Sequence, residues 1–559
     1  MSTNPMWAGQ WERSTIRRLL RWISSWKTIR RGLLGLAGLV TLVVLFYQVE
    51  DLRGKYAWEH YVKEWEAKGE KFTLKAFAPP LVPDDKNLAL APLLKPIFDF
   101  RRTTNGIQQN DTNGLKRLEA VSKGLVQSGP DSTNLLLGIL DKGTFANLEA
   151  TREFFRGNTN VPQPAPSGNT ALDIVNAMSY CDPQIKELQA AAVERPFCRF
   201  PVAYDEEMTF AILLPHLGRV KALVNALQIR IVGKIAAGQT AEAYDELQLC
   251  LRLSDSIQSD PFLITHLVHI AMLQMSVQSF REGLARRVWK ETQLEEIQKY
   301  LATQDMMREF KTTMRSERAS CLEALEYLRR RGFKGNAEAL WYDPDNEGRS
   351  SPLMIRLMPW MPDGWLQQNK LSIARLHQTC YLPVMNEATR RYEPFDEDEQ
   401  GRTLETMKRS PYAFFAGLVL PAVGRVSFRS VRMQTFLDAA QVACALERYR
   451  QATGRLPATL SELAPQFIAA IPHDIMDGNP LRYKLLPGGG YLLYSVGMNR
   501  VDDGGKIFAQ TFDGSFGKDV LGDGKTLWTE DNKTDDWVWV LPGDYRQLIT
   551  PREKATRKK

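Results

Sequence analysis

Along most of this chain the apolar positions recur every three to four residues, a helical period, and they turn to strand-like alternation only toward the C-terminal end. The plainest element comes first. Gly32 to Val49 is a run of 18 residues without a charge, bounded by Arg30 and Arg31 before it and by Glu50, Asp51 and Arg53 after. As a helix it would reach about 27 Å, enough to cross the hydrocarbon core of a bilayer, so the pattern predicts a transmembrane helix over 32–49. A cleaved signal peptide or a buried core helix are the competing readings. The run ends Leu45-Phe46-Tyr47-Gln48-Val49, without the small-residue triplet a signal peptidase needs. Upstream, Ile16, Leu19, Leu20, Ile23 and Trp26 sit at helical spacing among arginines, which suits an amphipathic helix on an anionic leaflet or a simple basic flank.

Beyond the run, Tyr56 to Lys71 reads as a polar, aromatic-dotted helix, and prolines at 79, 80 and 83 impose an extended path. Helical segments resume through about Phe155, and the Pro/Asn/Gly-rich stretch 157–168 reads as a linker or long surface loop. From Thr170 to Arg331 the chain is strongly helical. Leu213, Leu217, Val220, Leu223, Val224, Leu227 and Ile231 form one apolar stripe; Gly238 breaks it, and a second helix opens at Thr240, which together predict an antiparallel hairpin. Its turn, Ala236 to Leu247, resembles one tetratricopeptide-type unit, but no 34-residue recurrence follows. Further helices are expected over Phe262–Leu284 and Glu291–Arg331, and irregular chain over Asn336–Asn369. Pro411 to Gly424 is a second apolar run of 14 residues, too short to span a bilayer. It reads as buried core, with an interfacial, re-entrant contact as the alternative.

Charge adds topology and little else. The chain carries 72 basic and 65 acidic residues, a net +7. Seven basic residues and one acid precede residue 32, and five basic residues and one acid fill 551–559, so the residues between carry about −3. The N-terminal bias predicts a cytoplasmic N-terminus and an extracytoplasmic bulk by the positive-inside rule. Without a concentrated basic surface, nucleic acid is not expected as a partner. The expected plan is a basic cytoplasmic segment (1–31), a transmembrane helix (32–49), a helical stalk region with a linker (50–168), an α-helical domain (169–425), a small α/β domain (430–550) and a basic tail (551–559). The fold class is therefore α+β, mainly α: an N-terminal transmembrane helix, a helical hairpin or bundle in the middle, and a small α/β C-terminal domain.

That last domain carries a resemblance. Met433 to Gln451 is an apolar-faced helix stopped by Gly454, and Thr459-Leu460-Ser461-Glu462 is a capping box. Pro472-His473-Asp474, then Asp477-Gly478-Asn479-Pro480, lead into a strand at Leu481–Leu485. A turn at Gly488-Gly489-Gly490 and a return strand, Tyr491–Val496, make a β-hairpin. Gly497-Met498-Asn499-Arg500-Val501-Asp502-Asp503-Gly504-Gly505 follows. This order resembles the globular head of the major pseudopilins of type II secretion systems over about 73 of the 559 residues. The resemblance implies that the acidic loop binds calcium, with Asn499, Asp502 and Asp503 as ligands by position; a plain turn is the alternative. The chain departs from that family by placing its membrane helix about 380 residues before the head and by lacking a prepilin cleavage site, so it is not expected to assemble as a pilus subunit. The whole layout also resembles membrane-anchored proteins of planctomycete and verrucomicrobial bacteria, a likeness that brings no activity with it.

Chemistry-bearing motifs are sparse. H-E-x-x-H, G-x-S-x-G and the phosphate-binding G-x-x-x-x-G-K-[ST] are absent from the sequence. His266 and His269 lie three apart among Leu263, Ile264, Leu267, Val268 and Ile270, which suits packing between helices better than a metal pair. Asp343 to Gly348 imitates the opening of an EF-hand loop, but the twelfth position is Met354 instead of glutamate. Six cysteines contain no C-x-x-C; Cys181 and Cys198 are spaced so that a disulfide is open, and Cys250, Cys321 and Cys444 read as buried hydrophobes. Adjacent acids, Glu206-Glu207 and Asp535-Asp536, are ordinary surface features. Trp528, Trp537 and Trp539 alternate as a strand would, to cover a sheet or to meet a glycan. These observations point to a membrane-anchored extracytoplasmic binding or scaffold protein of the bacterial envelope, with the bilayer and an envelope protein as partners. A hydrolase whose acid pairs converge only in three dimensions is the rival.

Overall fold

In a computed structural model of the chain the apolar run lies inside a single helix of 41 residues, α1 (Trp26–Glu66), opened by Ser25, whose hydroxyl accepts from Thr28 N at 3.3 Å. The structure describes residues 22, 24–103, 106–123, 125, 137–158, 161–331, 360–394, 402–403, 406–407, 410–419, 424–506, 508–510, 516–519, 536–544 and 546. The chain is mainly helical, 62% helix against 8% strand, in keeping with a mainly α reading. After α1 come β1 (Phe100–Thr103), β2 (Gly106–Gln109), α2 (Thr112–Val121), α3 (Leu148–Arg156), α4 (Thr170–Ala177) and α5 (Asp182–Glu194). The middle holds α6 (Pro215–Ala236), α7 (Thr240–Asp255), α8 (Leu263–Ala285), α9 (Glu291–Thr303), α10 (Met306–Arg331) and α11 (Asp363–Leu376). Two short bridging strands, β3 (Met385–Asn386) and β4 (Arg391–Tyr392), precede α12 (Phe414–Val419) and α13 (Gly424–Thr453). Last are β5 (Arg482–Leu486), β6 (Gly490–Ser495), β7 (Phe508–Gln510), β8 (Phe516–Asp519) and β9 (Trp537–Leu541). Described residues fall into two compact units, one drawn from 1–70, 325–374 and 404–418, the other from 71–324, 375–403 and 419–559.

In the first unit, none of the most apolar 18-residue window of α1 is buried, so this helix has the length and composition of a membrane span and no protein covering it. Just past the run the same helix acquires partners. Asp51 Oδ1 accepts Gly364 N at 2.7 Å and so caps the first turn of α11, while Glu50 Oε2 accepts the Trp365 indole N–H at 3.0 Å. Gly54 and Gly364 bring the two backbones together: a Cβ on Gly54 would lie 2.2 Å from the Gly364 carbonyl oxygen, so the approach needs glycine. Trp365 meets Phe46 and Tyr412 edge-on, at 6.3 and 5.5 Å between ring centroids. Asn369 ties the second apolar run to α11, donating to Pro411 O at 2.7 Å and accepting Phe415 N at 3.0 Å. Ala413 to Ala416 are buried, so this part of the run is core. The expectation of irregular chain through Asn369 is corrected: α11 starts at Asp363, and its cap comes from 313 residues upstream, where no local signal reveals it.

In the second unit α6 is the central helix, packed by α4, α7 and α8, and α13 lies against α8 and α9. The hairpin of α6 and α7 forms as the apolar stripe predicts, with Gly238 at φ +81° in the turn. Arg230 on α6 is buried at 4% exposure, which it can be because Glu246 on α7 receives its Nε at 3.0 Å and Met178 O its NH1 at 2.8 Å. β1 and β2 correct the expectation of helix there. They pair antiparallel, Phe100 opposite Gln109, as a ribbon exposed on both faces, so no alternation marks it in the sequence. The predicted C-terminal hairpin is present in register, Arg482 opposite Tyr494 and Leu486 opposite Gly490. β9 adds a third antiparallel strand beside β6, giving the order β5-β6-β9. Every residue of β6 and β9 is buried, so Trp537 and Trp539 serve as core, the sheet-covering reading of the two the sequence offers.

Candidate functional site

The densest chemistry among the described residues lies where α8, α10 and α13 meet. His266 and His269, on successive turns of α8, both aim Nδ1 at Glu309 on α10. His266 reaches Oε1 at 2.6 Å, and His269 reaches both carboxylate oxygens at 3.0 Å. His266 Nε2 meets Ser430 Oγ of α13 at 2.7 Å. The two histidines pack between helices as their apolar neighbours predict, and Glu309, 43 and 40 residues away, is the acid that sequence reasoning missed. Burial opposes ionisation of Glu309, but the charges and hydrogen bonds of His269 and His266 prevail and hold its carboxyl well below the ordinary value. Burial likewise opposes charging of His269, and Glu309 overrides it, raising the imidazole. Asp255, accepting the Tyr300 hydroxyl at 2.7 Å, is pushed up by burial.

Serine, histidine and glutamate stand here in the order of a hydrolase relay. Two observations argue against that chemistry in this conformation. Ser430 Oγ donates its proton to Val426 O at 2.9 Å within its own helix, and Ser430 and His266 are 0% and 1% exposed, so no carbonyl reaches the hydroxyl. The cluster acts as a polar clamp across three helices. A second buried clamp is His216 with Asp260 at 2.8 Å, Asp260 also accepting the Tyr204 hydroxyl at 2.7 Å.

The motif residues of the C-terminal sheet converge on Asp474, which is fully buried. Its carboxylate accepts Met476 N at 3.0 Å, Ser495 Oγ at 2.7 Å, Val496 N at 2.9 Å and Arg482 NH1 at 2.7 Å. The aspartate of Pro-x-Asp is therefore the knot that ties the strand-entry loop to both hairpin strands. Beyond it the acidic loop is held by its own bonds. Asn499 Oδ1 accepts Val501 N at 2.9 Å and its Nδ2 donates to Asp503 at 3.0 Å. Asp502 accepts Gly504 N at 2.9 Å and the Tyr494 hydroxyl at 3.1 Å, and lies 3.9 Å from Arg482 Nε. Asp536, not a ligand by motif position, closes the loop by accepting Gly505 N at 2.7 Å; burial first, then Asp503 and Asp502, push its carboxyl up to about 6. Among the described residues no three His, Cys, Asp or Glu side chains are grouped to hold a metal ion.

A groove of about 530 Å³ opens between α5 and α7. Ala190, Ala192, Val193 and Leu249 make its apolar wall, and Asp245 and Arg252, two turns apart on α7, supply its charges. Val193 is 85% exposed. All six cysteines are free thiols, so the Cys181–Cys198 disulfide does not form here; Cys181 instead donates to Met178 O at 3.0 Å. The EF-hand-like stretch at 343–354, Trp528, Asp535, and the basic segments 1–21 and 551–559 lie outside the described residues. Comparison of the chain with family models, with curated proteins and with solved structures finds no match.

Proposed function

We propose that this protein is a single-pass, inner-membrane-anchored binding or scaffold component of the bacterial envelope, with a cytoplasmic N-terminus and an extracytoplasmic bulk. The observation that carries the reading is α1, an apolar helix with a basic flank before it and no protein cover along its most apolar window. The binding half rests on the groove between α5 and α7, which suits a peptide segment of an envelope protein presenting an apolar side chain to Ala190 and Leu249 and a basic group to Asp245. Affinity capture from detergent-solubilised membranes tests it. The same partner should be recovered with the native chain and lost with Ala190→Trp, which fills the groove; equal recovery overturns the groove. A periplasm-active reporter at the C-terminus should be active, and activity only with a cytosolic reporter overturns the orientation.

Calcium at the acidic loop belongs to the same proposal. Asn499, Asp502 and Asp503 offer oxygen donors of the right kind, and Asp536 adds a carboxylate at the loop's closure. Bound there, the ion would supply positive charge among these acids and stiffen the loop. A melt with and without chelator decides: no shift removes calcium from the reading. The rival hydrolase, as read from the sequence, rests on acid pairs that converge; the cluster among the described residues that most resembles a hydrolase site is instead the serine relay of Ser430, His266 and Glu309, and a serine-directed phosphonate that labels Ser430 would favour an enzyme.

A further inference from the structure

We propose that the first unit carries a second membrane contact, an aromatic collar around the outer end of α1 that rests in the interfacial layer of the bilayer with Trp360 as its lipid-facing anchor. The inference rests on the reading of α1 as a span and adds to it a surface distant in sequence. Tyr47, two residues before the end of the run, donates its hydroxyl to Trp360 O, which fixes Trp360 at the level of Tyr47. The Trp360 side chain is 75% exposed there. At the same end of α1, Trp365 holds Glu50 at 3.0 Å and faces Phe46 and Tyr412, and Arg53 lies 4.9 Å over the Tyr412 ring. Tryptophan and tyrosine with an apolar ring and a polar edge are the side chains that settle at the headgroup level.

The other face of α1 agrees. Val49, Leu52 and Tyr56 are 60%, 70% and 72% exposed. At 1.5 Å per residue, Leu52 and Tyr56 stand about 5 and 10 Å beyond Val49, a span comparable with the headgroup layer. Large apolar side chains left bare at that height are satisfied by lipid and costly in water. A bilayer therefore covers both Trp360 and this face, and the collar sets the depth and rotation of α1.

Spin labels on the full-length protein in nanodiscs test this. Trp360→Cys is tolerated by the fold because only the backbone carbonyl of Trp360 makes the bond to Tyr47, and Leu52→Cys gives an independent second site. Val40→Cys reports the span and Val193→Cys reports solvent. The ratio of oxygen to water-soluble nickel-chelate collisions should be severalfold higher at 360 and 52 than at 193. A ratio at 360 equal to that at 193, with 40 in lipid, overturns the collar and leaves the span standing. A solvent-like ratio at 40 overturns the span, and the collar with it.

Discussion

At the residue scale, two buried acids behave in opposite ways because their neighbours differ. Asp474 has four donors around it, one of them the Arg482 guanidinium, so its charge is fully met, and Asp474→Ala would leave Arg482, the Ser495 hydroxyl and two backbone N–H groups without it. Loss of about 3–5 kcal/mol is expected from urea unfolding of the full chain in detergent. Asp438 has less support: Gln434 donates at 2.9 Å and Arg390 stands 3.7 Å away, and burial pushes its carboxyl up to about 6. A raised folded value means the folded state favours the protonated acid. That contribution is complete below pH ~4 and lost as pH rises through 6, with a ceiling near 3 kcal/mol for a shift of about two units. Asp438→Asn should flatten stability between about pH 4 and 6, and an unchanged slope would refute the assignment. Asp474 was legible as part of a motif, although its role as a knot was not. Asp438, on the polar side of an apolar stripe, gave no sign of burial because the helix it faces lies far off in sequence.

Elements were legible where their partners are local. The α6–α7 hairpin follows from one stripe and one glycine, and the β5–β6 hairpin from alternation and three glycines. Elements completed from afar were not. α11 is capped by Asp51, and the α8–α10–α13 clamp joins side chains 43 and 164 residues apart. Glu309→Gln tests the clamp. The carboxylate's share is present above pH ~4.5 and lost as pH falls, and that of His269 is present below pH ~6.5 and lost as pH rises through its raised folded value. Their attraction is therefore greatest between those limits. The variant should lose about 2–4 kcal/mol, most in that window, by thermal melts across pH. Gly364→Ala is the matching test for α11: a Cβ there would sit 1.9 Å from Glu50 O, so tryptic cleavage near Arg329 and Lys370 should rise.

For the whole molecule, one exposed apolar helix dominates the expected behaviour. The protein should remain in the pellet through an alkaline carbonate wash, and release into the supernatant would remove the anchor. The sequence carried that feature openly, since 18 uncharged residues need no tertiary partner to be recognised. It did not carry the assignment of residues 325–374 and 404–418 to the same unit as residues 1–70, because nothing in an apolar pattern says which distant segments return to one place.

That return governs how the chain is made. The ribosome releases α1 long before α11, yet Gly54 and Asp51 are finished only when Gly364 arrives, 313 residues later. Closing so long a loop costs about 5 kcal/mol in chain entropy, so the early translation product holds the Glu50–Gly54 surface of α1 bare and waits. Chains arrested before residue 363 should accordingly be clients of chaperones and proteases, and arrest beyond α12 should release them.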